Sequence, residues 1–451
     1  MEHARMQWLL DRFATAPDRV AFIHDDRNVT YRDVLDRIDA FRSRLSEQGI
    51  GMGESVAVLG DYSPEVFCLI FALAQNGNIV IPLTSESAVE QDSTLGVSGC
   101  DWLARFNGTG ADVTLTKNHL ASDNPLLARF RMSRAPGLIL FSSGSTGQPK
   151  AILHNFERVS EKFRKQRARV IAIPFLMLDH FGGVNTILAI TSGLGTVVTV
   201  ADRSVLAICE AIAKHRVELL PATPSFLTLM LLSRGYEKHD LSSLRRITYG
   251  TEVMPQTTLD RLRMTFRGVE LQQTYGLSEV GVLRSQSRDD GSLWVRIGGD
   301  GFATKVVDDI LWIKSDYAME GYLNAPSAFD AEGWFNTQDR VEVDGEFFRI
   351  LGRITDVINV GGQKVYPTEI EDIILTLENI ADVAVYGEKN PLLGQIVVAK
   401  VIVTLPESSQ EIKRRIRAAC QSKLSAYKVP TKVIVSETPL HSVRHKKLRH
   451  A

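Results

Sequence analysis

The sequence has few cysteines, no long apolar run and almost no net charge, and each shortage removes a class of function. Its four cysteines, Cys68, Cys100, Cys209 and Cys420, lie far apart, and none forms a C-x-x-C pair. That argues against a zinc site and leaves buried thiols in a reducing compartment as the plainest reading. No run of about 18 apolar residues exists, so no membrane-spanning helix is expected. The opening, MEHARMQWLLDRFA, lacks the apolar segment and small-residue cleavage site of a secretory signal. With 52 basic against 53 acidic residues, the chain has no global field for nucleic acid or an anionic membrane. A soluble, cytoplasmic protein with no nucleic-acid partner is expected, and its oligomeric state is left open. Any anionic ligand must be held locally, by a few placed cations and backbone N–H groups.

What is present is ample apolar material. The 451 residues exceed one ordinary core, and 44% hydrophobic against 23% charged residues is average globular usage. Strand patterns over 20–24 and 28–31 flank a turn, and Thr30 stands where an N-cap belongs before a helical pattern over 31–48. An apolar run at 55–59, a helical stretch at 64–76 and a strand at 77–82 follow. The same rhythm returns at 138–141, 155–165, 170–173, 183–190, 196–200, 204–215 and 218–222. Strands alternating with helices predict an α/β fold with parallel sheet. After about residue 291 short strand patterns crowd together, predicting a small β subdomain over about 292–351. Residues 352–451 predict a compact α+β unit. The expected organisation is therefore an N-terminal core over 1–351 and a C-terminal domain over 352–451, joined near 351–355.

The most informative stretch runs from Leu138 to Lys150. An apolar strand ends at Phe141 and is followed by Ser142, Ser143, Gly144, Ser145, Thr146 and Gly147, then Gln-Pro-Lys150. Small residues let a backbone approach an anion, successive N–H groups form a phosphate nest, and the hydroxyls and Lys150 add donors and charge. It is not a Walker A loop, because proline separates the glycine from the lysine. A plain Ser/Gly surface loop is the alternative.

The order S-S-G-S-T-G-x-P-K resembles the phosphate loop of the adenylate-forming enzymes, which include acyl-CoA synthetases, peptide-synthetase adenylation domains and luciferases. Three further stretches resemble that family in order. Tyr275-Gly276-Leu-Ser-Glu279 is similar to its Y-G-x-[ST]-E. Thr337-Gln-Asp339 is similar to its T-G-D, with Gln338 where the family has glycine. Gly352-Arg353-Ile-Thr355-Asp356, running on to Gly361-Gly362, is similar to its hinge motif. The family's G-K-x-x-R tail is matched by His445-Lys446-Lys447-Leu-Arg449, with Lys446 aligned to the catalytic lysine and Lys447 as the alternative. The match covers about residues 10–449 and is nearest to acyl- or aryl-CoA ligases.

The resemblance implies specific roles. Residues 142–147 and Lys150 hold phosphates, with Thr146 counted among the catalytic residues, and Glu279 holds Mg²⁺. Tyr275 and Gly276 lie by the adenylate, Asp339 receives the ribose hydroxyls, and Arg353 reaches ribose or phosphate. Gly250, Thr251 and Glu252 lie near adenine and acid, and His180 lines the acyl site. Thr355 is the hinge about which a mobile C-terminal domain turns, and Gly361 and Gly362 border the thiol channel. The substrates implied are ATP, a small carboxylic acid, leaning to an aliphatic or aryl one, and CoA. A phosphopantetheinyl carrier protein acting in trans is the alternative acceptor, and a non-catalytic nucleotide-binding homologue is a second alternative.

Overall fold

Short apolar strands separated by helices build two seven-stranded sheets from the first 322 residues. The computed structural model describes residues 5–84, 91–106, 112–118, 122–142, 149–441 and 447–449. One sheet runs in the order Gly321–Tyr322, Lys150–Asn155, Gly137–Ser142, Ile79–Leu83, Ser55–Leu59, Trp102–Phe106, Val113–Lys117. Its middle strands are parallel and its edges antiparallel. The other runs Glu270–Gln273, Arg246–Tyr249, Leu219–Ala222, Ile171–Ala172, Thr196–Val198, Val20–His24, Arg27–Thr30, and is parallel except for the last hairpin.

The helix Pro64–Asn76 explains how the sheets share a core. It is buried at every position but Asn76, as an all-round apolar helix must be. One cluster joins its Phe67 and Phe71 to Val56, Val80 and Leu138 of one sheet and to Phe22 and Val197 of the other. The expected cap is present at the helix Tyr31–Glu47. The Thr30 hydroxyl accepts from the Asp33 N–H at 3.2 Å, and the Asp33 carboxylate accepts from the Thr30 N–H at 2.7 Å, a capping box.

A six-stranded antiparallel sheet follows, ordered Arg284–Ser287, Trp294–Gly298, Phe347–Arg353, Phe335–Asp344, Ile310–Ser315, Phe302–Val307. Its first strand begins ahead of the change in character read near residue 291. Phe335–Asp344 is ten residues long, longer than the short strand patterns read for this subdomain. The cause is that Thr337 and Asp339 occupy inward positions of the strand, beside Phe335 and Val341. Polar residues on the buried face hide the period-2 signal.

The last unit is a five-stranded sheet, in which Ile380–Asn390, Gly394–Val403 and Lys432–Val435 lie side by side, carrying the helices Pro367–Ile374 and Ser409–Gln421. Its apolar cluster contains only residues from 358 to 435. No helix among the described residues is long and apolar enough to cross a membrane.

Candidate functional site: side chains gathered at the strand ends

In the parallel sheet, the chain leaves Arg246–Tyr249 into Gly250 and leaves Glu270–Gln273 into Thr274 and Tyr275. Both exits are carboxyl ends of parallel strands, where ligands of open α/β sheets sit. The two exits touch. A Cβ at Gly250 would stand 2.5 Å from the Thr274 hydroxyl oxygen and 2.7 Å from its carbonyl oxygen, so only glycine fits there. Thr251 then takes a left-handed backbone, φ 70°, an uncommon state for a β-branched residue.

Tyr275, Asp339 and Arg353 come together. The Tyr275 hydroxyl donates to Asp339 Oδ2 at 2.5 Å, and Arg353 Nε lies 3.4 Å from Asp339 Oδ1. Asp339 and Arg353 are register partners across two strands, which fixes their spacing. Burial pushes the Asp339 carboxyl above the usual carboxylate range, although Arg353 and Tyr275 oppose the rise. The Tyr275 phenol is pushed far up by burial and by Asp339, so it stays a donor. Gln338, at the glycine position of the resembled motif, is exposed and left-handed at φ 60°, which accounts for glycine there. The turn is held because the Gln338 N–H donates to Asn336 Oδ1 and the Asp339 N–H to the Thr337 hydroxyl.

The phosphate side is built on the sheet edge. Ser142 and Lys150 are register partners, so both ends of the glycine loop are fixed beside each other. Ser143, Gly144, Ser145, Thr146 and Gly147 lie outside the described residues, as does Lys446. The Lys150 ammonium sits 5.1 Å from the centre of the Tyr322 ring, and the Tyr322 hydroxyl donates to Glu279 Oε1 at 2.7 Å. Asn324 secures the same end: its amide donates to the Pro149 carbonyl at 2.8 Å and its oxygen accepts from the Ala151 N–H at 2.9 Å. Sequence reasoning missed Tyr322 and Asn324. Tyr322 lies in a strand of two residues, Gly321–Tyr322, and Asn324 in the bend after it, so neither has a pattern to read.

Glu252 has a role the sequence did not disclose. One oxygen accepts from the Ser225 hydroxyl at 2.6 Å, and the other from the main-chain N–H of Lys447 at 2.6 Å. The tail of the chain therefore reaches the exit of the parallel sheet. The Lys447 ammonium turns the other way, 3.4 Å from Asp382 and 4.0 Å from Glu371 inside the C-terminal unit. A second contact between the lobes joins the Thr257 hydroxyl to Asp372 at 2.8 Å.

His180 precedes the helix Phe181–Ser192 and does not cap it through its side chain. Phe181 is buried, 5.0 Å from the ring of His154 and 3.5 Å from where a Cβ on Gly281 would lie. Asp179 is buried, with Oδ2 3.3 Å from the Thr84 hydroxyl. Thr355 is exposed in the single turn Ile354–Asp356. Gly361 and Gly362, both with positive φ, make the two-residue turn between Ile358–Val360 and Gln363–Val365. That turn borders a concave surface lined by Asn359, Asn390, Leu393 and Gln395.

The chain resembles known proteins over nearly its whole length. The chain is similar to an indoleacetate–CoA ligase of Aromatoleum aromaticum, 28% identical over 98% of this chain and 97% of that one. It is also similar to a 2-succinylbenzoate–CoA ligase of Bacillus subtilis, 25% identical over 98% and 96%. Among solved structures, an anthranilate CoA ligase in complex with anthranoyl-AMP shares the fold with a TM-score of 0.80 at 19% identity, covering 97% of this chain and 95% of that one. The AMP-binding enzyme profile matches residues 9–95 and 108–323, and the AMP-binding enzyme C-terminal domain profile matches 369–447. With both profiles in order along most of its length, the chain belongs to the AMP-binding enzyme family.

Proposed function

We propose that this chain uses ATP to convert a small carboxylic acid to an acyl-adenylate and then passes the acyl group to the thiol of CoA. The observation that carries this reading is the nearness of two constellations, linked by Arg353, which pairs with Asp339 and whose charge also acts on the Tyr322 phenol. Tyr275, Asp339 and Arg353 suit a ribose, because a carboxylate can accept both hydroxyls of a diol. Lys150, Tyr322 and Glu279 suit a polyphosphate. The names of the relatives as CoA ligases support CoA as acceptor.

A carboxylate and a triphosphate repel each other, so the site must neutralise both. The N–H groups and hydroxyls of residues 142–147, with Lys150, hold the phosphates. Glu279 fits a magnesium ion held mainly through phosphate oxygens. One of its oxygens is taken by Tyr322, and the other has no hydrogen bond from a described residue. Such an ion would supply positive charge between carboxylate and phosphates. The substrate carboxylate oxygen attacks the α-phosphorus, a P–O bond forms, and pyrophosphate leaves. No protein nucleophile is required, since rate comes from positioning and charge. Gly250, Thr251 and Gly276 are backbone surfaces for adenine and the acyl group, with His180 on the acyl wall.

Lys446 is the cation that bridges the substrate carboxylate and α-phosphate. Its neighbour supports the assignment: the Lys447 N–H is on Glu252 at the mouth of the site, while the Lys447 ammonium is committed to Asp382 and Glu371. Turning residues 352–451 about Thr355 withdraws Lys446 and brings Gly361 and Gly362 to the acyl carbonyl. The thiolate then attacks that carbon, the acyl–phosphate bond breaks, and AMP departs.

An ATP–pyrophosphate exchange screen over fatty, aryl, dicarboxylic and amino acids tests the first step. Exchange with at least one acid is expected, followed by a CoA thioester detected by mass. Thioester on a carrier protein but not on CoA would change the acceptor. ATP binding without exchange for any acid would overturn the proposal.

A further inference from the structure

Lys162 follows the helix Phe156–Glu161, where a surface charge would be unremarked. Its ammonium instead turns inward. Nζ donates to the Val282 carbonyl at 3.1 Å and lies 5.0 Å from the centre of the Phe163 ring and 5.7 Å from that of Phe181. Phe181 and Val282 both adjoin residues assigned above to the acyl site. Phe181 follows His180, and Val282 is the register partner of Gly276, the residue after Tyr275.

The residue as a whole is half-buried, but its ammonium is enclosed, and a cation in such a place normally faces a carboxylate, because an enclosed unpaired charge is costly. None is present among the described residues. The acids of its own helix act elsewhere: Glu161 is paired with Arg164 at 2.5 Å, and Glu157 also acts on Arg164. Arg158 takes Glu320. The charge that faces Lys162 is another cation, Arg167, whose guanidinium lies 5.0 Å from the Phe163 ring. Arg167 is exposed as a residue, yet its head group is enclosed enough to be disfavoured as a cation and has Arg284 as its charged neighbour. Arg284 in turn has Asp300 at 3.7 Å. His154, against Phe181, is held neutral by burial with its pKa lowered to about 3 and adds no charge. One carbonyl satisfies one of the three ammonium donors, and two aromatic faces give only modest further stabilisation.

We propose that Lys162, assisted by Arg167, receives a second anionic group on the substrate, so that the acid activated here is a dicarboxylic acid. This rests on the proposed acid activation and deepens it, since it concerns the far end of the same acyl pocket. The pairing also predicts a pH signature. Burial and Arg167 hold the Lys162 ammonium down at about 7, so a bound carboxylate would raise it and binding would take up a proton. Affinity for a dicarboxylate should then be full below that value and weaken as pH rises through it.

The test compares acids in pairs, hexanoate with adipate and 3-phenylpropanoate with 3-(2-carboxyphenyl)propanoate, by pyrophosphate exchange with wild type, Lys162→Met, Lys162→Arg and Arg167→Gln. In wild type the KM of at least one dicarboxylate should lie about ten-fold or more below that of its neutral-tailed partner, a difference within the reach of one charge-assisted hydrogen bond. Lys162→Met should abolish that difference with kcat changed less than about two-fold. Lys162→Arg should retain it, and Arg167→Gln should reduce it. The wild-type preference should fade between about pH 6 and about pH 8.5, and should persist in Lys162→Arg. Equal KM values within both pairs in wild type, or a Lys162→Met loss shared by both partners, would overturn the assignment. Absence of exchange with every acid would strike the activity itself. Calorimetric binding of the two dicarboxylates would then decide: tighter binding to wild type than to Lys162→Met supports the receptor, and equal binding refutes it.

Discussion

In the C-terminal unit two buried carboxylates, Glu371 and Asp382, face two cations, Lys447 and Arg449. Lys162 and Arg167, by contrast, both lie against the Phe163 ring, and no acid pairs with Lys162 among the described residues. Burial alone would raise the Glu371 carboxyl, but Arg449 and Lys447 overcome it and hold the group below its ordinary range. Burial alone would lower the Lys447 ammonium, but Glu371 and Asp382 carry it above its ordinary value. Each group therefore favours the fold in its charged form. The Glu371 contribution is present above its unfolded pKa and lost as pH falls; the Lys447 contribution is present below its unfolded pKa and lost at alkaline pH. Asp339 behaves in the opposite sense. Its carboxyl is raised by burial, so its ionisation opposes folding as pH rises through the folded value. Balanced charge serves the structure, and unbalanced or costly charge marks the places where a ligand completes the set.

The sharpest way to break this comparison is to remove one member of the balanced set. Lys447→Met should lower the urea-measured unfolding free energy by about 3–5 kcal/mol, because Asp382 is left without its nearest cation. Lys446→Ala should leave that unfolding curve in place yet cut pyrophosphate exchange about 100-fold or more, as loss of one group that stabilises developing charge does. ATP binding and thioester formation from supplied adenylate should survive. If Lys447→Met removed adenylation without loss of stability, the tail would be shifted by one residue. Asp339→Asn should weaken AMP binding about ten-fold by calorimetry, while the melting temperature of the nucleotide-free protein at alkaline pH stays level or rises. The smallest effect belongs to Gln338→Gly. It relieves a left-handed side chain but loosens the unfolded chain, so stability should change by less than about 1 kcal/mol and AMP affinity should be unaltered.

Local signals carried much of this in the sequence. Thr30 capped its helix as expected, the buried strand at 55–59 and the helix at 64–76 have those bounds, and the alternation of strands and helices announced parallel sheet. Motif order brought the chain to its family. What could not be read was contact between distant positions. Glu252 and Lys447 are 195 residues apart, Lys162 and Val282 are 120 apart, and the Tyr322 bond to Glu279 crosses 43. Lys162 was not singled out in the sequence, where it fell within the helical pattern read over 155–165; in the fold the residue is half-buried and its ammonium meets the Val282 carbonyl and the Phe181 ring. Thr337 and Asp339 were found by motif, but the strand that carries them, Phe335–Asp344, escaped the apolar pattern because it turns these polar side chains inward.

The double use of Glu252 has a mechanical consequence. One oxygen stays with Ser225 on the large lobe while the other holds a single main-chain N–H of the small lobe, and the apolar cluster of the small lobe draws nothing from its neighbour. Releasing that hydrogen bond leaves the carboxylate half-seated on Ser225, ready for re-engagement. In the swing proposed for residues 352–451, this latch gives up one carboxylate-to-main-chain hydrogen bond and re-forms it on return.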